Sequence, residues 1–165
     1  MEIVVIAHNI RSTHNIGSIF RTSEGFGVTQ LILSGYSPYP KLVDDSRLPH
    51  ISQKLTAQIE KTALGASRMV SFAYAAHPAE VIEQLRRQGY RIVGLEQTPD
   101  AIRLDTYTAP QKICLVLGEE VEGIPTEIMQ LCDEFIEIPM QGQKESFNVS
   151  VAAGIALYAV STQSS

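Results

Sequence analysis

The chain has 165 residues, 44% of them hydrophobic, and a formal net charge of −5. That length suits a single domain, expected over residues 1–165, with enough apolar content for a sizeable core. No apolar run reaches the ~20 residues of a membrane span, and the acidic balance is not the strongly basic signature of a nucleic-acid binder.

The start, Met1-Glu2-Ile3-Val4-Val5-Ile6, lacks the basic segment of a signal peptide. Ile3–Ala7 reads as a first strand. Residues 16–26 read as a helix with Ile16, Ile19, Phe20 and Ser23 on one face, Asn15 as its cap and Gly27 as its stop. Gln30–Leu33 is a strand. The stretch 34–62, with Gly35, Pro38, Pro40 and Pro49, reads as a long irregular loop, a type that in compact domains is usually functional or disordered. Lys61–Ala66 looks like the end of a helix stopped by Gly65. Met69–Phe72 is a further strand, and 78–88 a helix with Pro78 first, His77 in the cap region and Gly89 just past the end. Arg91–Leu95 and Lys112–Leu117 are buried-type strands, 126–131 a short helix, Glu134–Ile138 a strand and 149–160 the closing helix. Strands alternating with helices predict an α/β fold, a parallel sheet with helices on both faces.

Cys114 and Cys132 have no redox or metal spacing and read as reduced thiols of a cytosolic protein. The histidines are not spaced as ligands, so no metal is expected. Positive charge gathers early: Arg11, Arg21, Lys41, Arg47, Lys54 and Lys61, with His8, His14 and His50, all precede residue 62. A locally basic face there could bind phosphates.

Ligands of parallel sheets bind beyond the carboxyl ends of the strands, and three polar clusters fall at such ends. The first, His8 to Ser18 followed by Arg21, enters a helix; helix N-termini attract anions and arginine suits phosphate. Gly17 and Ser18 are expected in the first turn, with Arg21 on the same side. The second, Leu117-Gly118-Glu119-Glu120-Val121-Glu122-Gly123, lacks the Lys-Ser/Thr of a phosphate loop, and its carboxylates disfavour a polyphosphate. They suit a cationic, hydroxyl-bearing ligand such as S-adenosylmethionine, with a Mg²⁺ site as the weaker alternative. The third, Ile138-Pro139-Met140-Gln141-Gly142 through Ser146-Phe147-Asn148, opens into the closing helix, with Ser146 and Asn148 as capping residues. That helix is apolar on nearly every face, so it belongs in a core or a subunit interface.

Together these loops resemble the SpoU (TrmH) family of RNA ribose methyltransferases. Asn15-x-Gly17-x3-Arg21 resembles its first motif, Gly118-x-Glu120-x2-Gly123 the second, and Ile138-Pro139-Met140-x-Gly142-x3-Ser146-x-Asn148-Val149-Ser150 the third. The likeness runs from about residue 3 to 160. His14 and Ile16 set the chain apart from the short wobble-base ribose methyltransferases, which usually carry Pro and Thr there, and Phe147 stands where the family often has Leu.

The resemblance implies a SPOUT fold with a C-terminal deep trefoil knot, S-adenosylmethionine as cofactor and a homodimer whose sites are completed across the interface. It implies transfer of a methyl group to a ribose 2′-hydroxyl of RNA, tRNA slightly favoured over rRNA, by a cytoplasmic enzyme needing neither metal nor membrane. Carried over by position, the catalytic set is Arg21, Asn15, Glu120, Ser146 and Asn148. The cofactor set is Leu95, Glu96, Gly118, Gly123, Ile138, Met140, Ser146 and Phe147. Arginine is a poor base, so the conservative role for Arg21 is to stabilise the developing alkoxide and orient a phosphate. Larger members carry an added RNA-binding domain or terminal helices; here target choice is expected from residues 34–62 or a partner protein. Two competing readings are a non-catalytic RNA-binding or regulatory protein retaining the fold, and a metal-dependent hydrolase using Glu119, Glu120 and Glu122.

Overall fold

The structure, a computed structural model, describes residues 1–164. Seven strands form one sheet: β1 (Glu2–His8), β2 (Gln30–Ser34), β3 (Phe72–Ala75), β4 (Arg91–Leu95), β5 (Ile102–Arg103), β6 (Lys112–Leu117) and β7 (Glu134–Glu137). Their order is β3-β2-β1-β6-β4-β7-β5, and every pairing is parallel. Five helices cover it: α1 (Thr13–Gly25), α2 (Pro49–Ala63), α3 (Ala79–Arg87), α4 (Thr126–Met129) and α5 (Val149–Ser161).

Successive strand side chains point to opposite faces, and both faces are buried. Ile3, Val5 and Ala7 of β1 pack with Ile16, Ile19 and Phe20 of α1 and Ala153, Ala156 and Leu157 of α5. Val4 and Ile6 face the other way, with Ile82 and Leu85 of α3 and Ile128 of α4. This two-sided burial is why β1 and β6 read as unbroken apolar runs. Each large side chain removed from water in this way contributes roughly 1.5–3 kcal/mol.

The order of the strands places the ligand-binding edge. From β1 the chain moves outward to β2 and β3, and from β6 it moves the other way to β7, so neighbouring β1 and β6 send their following loops apart. Such a switch commonly opens a crevice beyond the carboxyl ends of the two strands; in this chain the cavity is displaced to the β6 side, lined from β4, β6 and β7 and not from β1. The loops after β1 and β6 carry the first two motifs.

Several expected boundaries shift. The N-cap of α1 is Ser12, not Asn15: the Ser12 hydroxyl accepts from the Asn15 N–H at 3.1 Å. Helix α1 therefore begins earlier, and Gly17 lies beyond its first turn. Gly17 is buried against α2, where an added Cβ would stand 2.3 Å from the Ile59 carbonyl oxygen, whereas Arg21 is exposed. Four residues apart on one helix, the two still share a side, Gly17 where that side meets α2 and Arg21 where it reaches solvent. Residues 34–62 are not a loop throughout, because α2 occupies 49–63 with Pro49 in its first turn and Leu64 as a left-handed cap. The strand expected at Met69–Phe72 lies three residues later; Ala66–Arg68 form a single 3-10 turn and Met69 is exposed. Pro78 caps α3 instead of opening it. β5, only two residues long, has no counterpart in the sequence reading.

Candidate active site

Beyond the ends of β4, β6 and β7 lies a cavity of about 290 Å³. Leu95, Glu96 and Gln97 line it from β4, Leu117 to Gly123 from β6, and Glu137, Ile138 and Met140 from β7. Glu145, Ser146 and Phe147 close it from the third motif, with Val149 and Ala152 of α5 behind them. The eight residues aligned with the family's cofactor positions, Leu95, Glu96, Gly118, Gly123, Ile138, Met140, Ser146 and Phe147, all border this one space.

The acidic loop is tightly folded. Glu119 and Gly123 exchange backbone hydrogen bonds at 2.9 and 3.1 Å. Gly118 has no room for a side chain, since a Cβ there would lie 2.4 Å from the Gly123 carbonyl carbon. The Glu96 carboxylate accepts from the Ile124 N–H at 3.0 Å, tying the end of β4 to the loop. Gln97 donates its side-chain amide to the Glu145 carbonyl at 2.8 Å, tying the same strand end to the third motif. Glu96 is thus a backbone staple as well as a lining group, and Gln97 is a lining residue that the motif reading missed. Its only sequence signal is its position directly after Glu96 at the end of a buried strand.

Six glutamates border the cavity, Glu96, Glu119, Glu120, Glu122, Glu137 and Glu145, and no Lys, Arg or His does. Such a lining repels polyphosphates and favours a ligand with cationic groups and hydroxyls. Among the described residues, no group of His, Cys, Asp and Glu could hold a metal ion. Glu119 and Glu120 are engaged differently, one through its backbone to Gly123 and the other through its carboxylate to Asn15.

Three motifs meet through side chains. Asn15 Nδ2 donates to Glu120 Oε1 at 2.9 Å, and Asn148 Nδ2 donates to Asn15 Oδ1 at 3.3 Å. Asn148 Oδ1 in turn accepts from the Ser150 N–H at 2.9 Å and so caps α5. Ser146 makes no cap bond; it borders the cavity instead. Asn15, Asn148 and Arg21 are not among the lining residues. Arg21 is exposed on α1, two turns beyond Asn15, and forms no ion pair among the described residues. His8, which opens the first cluster, points inward: its Nδ1 lies 2.9 Å from Ser34 Oγ, and burial holds its pKa below the usual value.

A doubly covered parallel sheet with an acidic ligand cavity and three interlocked strand-end loops is the arrangement of an RNA-methylase domain of the SPOUT class. The chain belongs to the SpoU rRNA methylase family, whose model matches residues 2–158. It is similar to the tRNA (guanosine(18)-2′-O)-methyltransferase of Aquifex aeolicus, 28% identical over 98% of this chain and 70% of that one. It is also similar to the 23S rRNA (guanosine-2′-O-)-methyltransferase RlmB of Coxiella burnetii, 30% identical over 98% of this chain and 58% of the relative. Among solved structures, the SpoU methyltransferase AviRb of Streptomyces viridochromogenes, crystallised with AdoMet, superposes with a TM-score of 0.79. It is 25% identical, over 98% of this chain and 60% of that one. Across the first curated relatives the chain spans 9–58% of their length. For this fold a deep C-terminal knot is the expected threading. No helix among the described residues is long and apolar enough to cross a membrane.

Proposed function

We propose that the chain, as one domain, catalyses S-adenosylmethionine-dependent methylation of a ribose 2′-hydroxyl in an RNA of the tRNA or rRNA class. The observation that carries this is the cavity lined by six glutamates and no basic residue, built from the loops that hold the second and third family motifs together with the end of β4. Two named relatives act on guanosine 2′-hydroxyls, one in tRNA and one in 23S rRNA.

The residues fit the cofactor. A carboxylate-rich wall suits its sulfonium and ammonium groups, apolar Leu95, Ile138 and Phe147 suit the adenine, and the tight Gly118–Gly123 turn offers backbone groups at close range. When bound, S-adenosylmethionine supplies an electrophilic methyl group. The chain supplies the geometry: Glu96 and Gln97 fix the walls of the cavity, and the link from Asn15 to Glu120 fixes its rim. Arg21 binds the phosphate beside the target ribose and stabilises negative charge developing on the 2′-oxygen. Holding oxygen and methyl in line accounts for much of the acceleration.

We infer that the working unit is a homodimer and that Arg21 serves the partner's cavity. Arg21 is absent from the lining of its own chain's cavity, and the third-motif loop is exposed from Gln141 to Asn148. Helix α5 is apolar all round yet leaves Val151 49% and Tyr158 61% exposed, a surface that calls for cover. The proposed compartment is the cytoplasm.

The test is methyl transfer from labelled S-adenosylmethionine to bulk tRNA and to rRNA, followed by mass spectrometry of the nucleosides. A 2′-O-methylated nucleoside is the expected product. Cofactor binding with no methylated RNA in either pool would favour the non-catalytic RNA-binding reading.

A further inference from the structure

Beside the active-site rim, beyond the ends of β1, β2 and β3, lies an open cleft of about 600 Å³. Arg11 to Thr13 form one wall, Gly35 to Tyr39 another, and Leu55 and Gln58 of α2 a third. The cleft and the active-site cavity have no lining residue in common; they are linked through the chain, since the turn holding Arg11 leads within four residues to Asn15 and its bond to Glu120.

The cleft is rigidly built around one outward-facing ring. Asn9 adopts φ 56°, a left-handed conformation that costs a non-glycine residue free energy. That turn lets Asn9 Oδ1 accept from the Tyr36 N–H at 2.8 Å. Ser37 Oγ donates to the Ala7 carbonyl at 2.7 Å and accepts from the Ile10 N–H at 2.9 Å, locking the two loops together. The result leaves Tyr36 72% exposed, with the Arg11 guanidinium 5.4 Å from its ring centre.

The two arginines of the cleft differ. Arg47 is consumed by structure: it bonds Asp45 and the Tyr39 and Pro40 carbonyls and lies 3.6 Å over the Tyr39 ring. Tyr39 in turn stacks on Tyr74 at 4.1 Å. Arg11 is exposed, and among the described residues it has no ion pair. An exposed ring held by the backbone under a guanidinium that makes no ion pair among the described residues is a pairing that single-stranded RNA can use, a base on the exposed ring and a phosphate on the cation.

We propose that this cleft binds a nucleotide flanking the methylated one, its base stacked on Tyr36 and its phosphate held by Arg11. The proposal rests on the RNA-methyltransferase reading and adds the place where the substrate strand leaves the active site. It gives an acidic chain a local RNA contact without a basic surface.

The test uses the full chain with bulk tRNA and rRNA as methyl acceptors, and fluorescent oligoadenylate and oligouridylate for direct binding. Tyr36→Ala is expected to raise KM for RNA about tenfold, the order of one lost base stack, and to weaken oligonucleotide binding likewise. Its affinity for S-adenosylmethionine and its melting temperature stay at wild-type values, since the Asn9–Tyr36 bond uses the backbone. Tyr36→Phe keeps the ring and restores the wild-type KM. Arg11→Gln weakens binding and flattens its salt dependence. An unchanged KM in Tyr36→Ala, a Phe variant as impaired as the Ala variant, or oligonucleotide binding indifferent to both residues overturns the proposal. So does competition at Tyr36 by a protein partner with no RNA affinity. If no RNA is methylated but oligonucleotide binding still depends on Tyr36, the catalytic reading fails and the cleft stands.

Discussion

Asn15 joins Glu120 to Asn148, bridging positions 105 and 133 residues away in the chain. The direction of this link is fixed at both ends. Glu120 Oε1 accepts from the Asn15 amide, and at the far end the Ser150 backbone N–H can only donate to Asn148. Each asparagine between them must present its NH2 toward Glu120 and its carbonyl toward α5. The amide alone among side chains of that size offers both.

Asn15→Asp keeps the shape and breaks that polarity. It removes the donor and sets a second carboxylate against Glu120, where close like charges resist ionising together. At pH 7 the loss of stability is expected to be about 1–3 kcal/mol and greater than that of Asn15→Ala. The excess over the Ala variant is the repulsion between the two carboxylates. Urea unfolding of both variants at pH 7 measures it; an Asp variant no worse than the Ala variant contradicts the fixed direction.

Arg21→Ala is expected to bind S-adenosylmethionine normally and to lose methyl transfer by at least 10²-fold, the scale of a lost charge-stabilising group. If the arginine works across the dimer, co-expression with Gly118→Val restores activity. Gly118→Val blocks the cofactor loop, because even a Cβ would collide with Gly123. A mixed dimer then keeps one complete site, made of the Arg21→Ala subunit's cavity and its partner's intact arginine. Statistical mixing gives about a quarter of wild-type sites. Radiolabel transfer by the mixed sample, set against each variant alone, distinguishes this from arginine acting within its own chain, which restores nothing.

How far the chain could be read without coordinates follows from local physics. β1, β4 and β6 were legible because burial on both faces leaves continuous apolar runs. The loops of the site were legible because glycines and polar residues interrupt those runs at the strand ends. Helix α2 was not, since its buried face is only Ser52, Ile59 and Ala63, and prolines crowd its approach. The cap of α1 was misplaced because Ser12 and Asn15 are both good caps, and only the contact with Glu120 reveals what Asn15 does instead. The insertion of β6 between β1 and β4 is a long-range pairing that no local pattern encodes. The Arg11–Tyr36 pairing depends on a left-handed Asn9, equally invisible in the pattern.

The approach to α2 carries its own pH dependence. Asp45 accepts from Arg47 at 2.6 Å, from the Leu42 N–H at 2.9 Å and from the Arg47 N–H at 2.9 Å. The guanidinium first, and then these amides, hold its carboxyl far below the usual carboxylate range. A depressed folded pKa gives stability that is full above the unfolded value, near pH 4, and lost as pH falls toward the folded one. Melting temperatures of wild type and Asp45→Asn are therefore expected to differ most at neutral pH and to converge as acid is added below about pH 4. A constant gap across that window removes the carboxylate as its cause.

Helix α5 separates core from proposed interface within two residues. Ala156 is fully buried, so Ala156→Glu forces a charge into packed apolar surroundings and is expected to unfold the chain or lower its stability by several kcal/mol. Tyr158 is 61% exposed, its ring set edge to face against that of Phe26 at 6.2 Å. Tyr158→Glu is expected to keep the circular dichroism of the fold while halving the mass seen by light scattering, because a charge on an apolar subunit contact disfavours association. Methyl transfer falls with the dimer if Arg21 serves the partner's cavity. A Tyr158→Glu protein that stays dimeric moves the interface elsewhere, and one that becomes monomeric with full activity assigns Arg21 to its own chain.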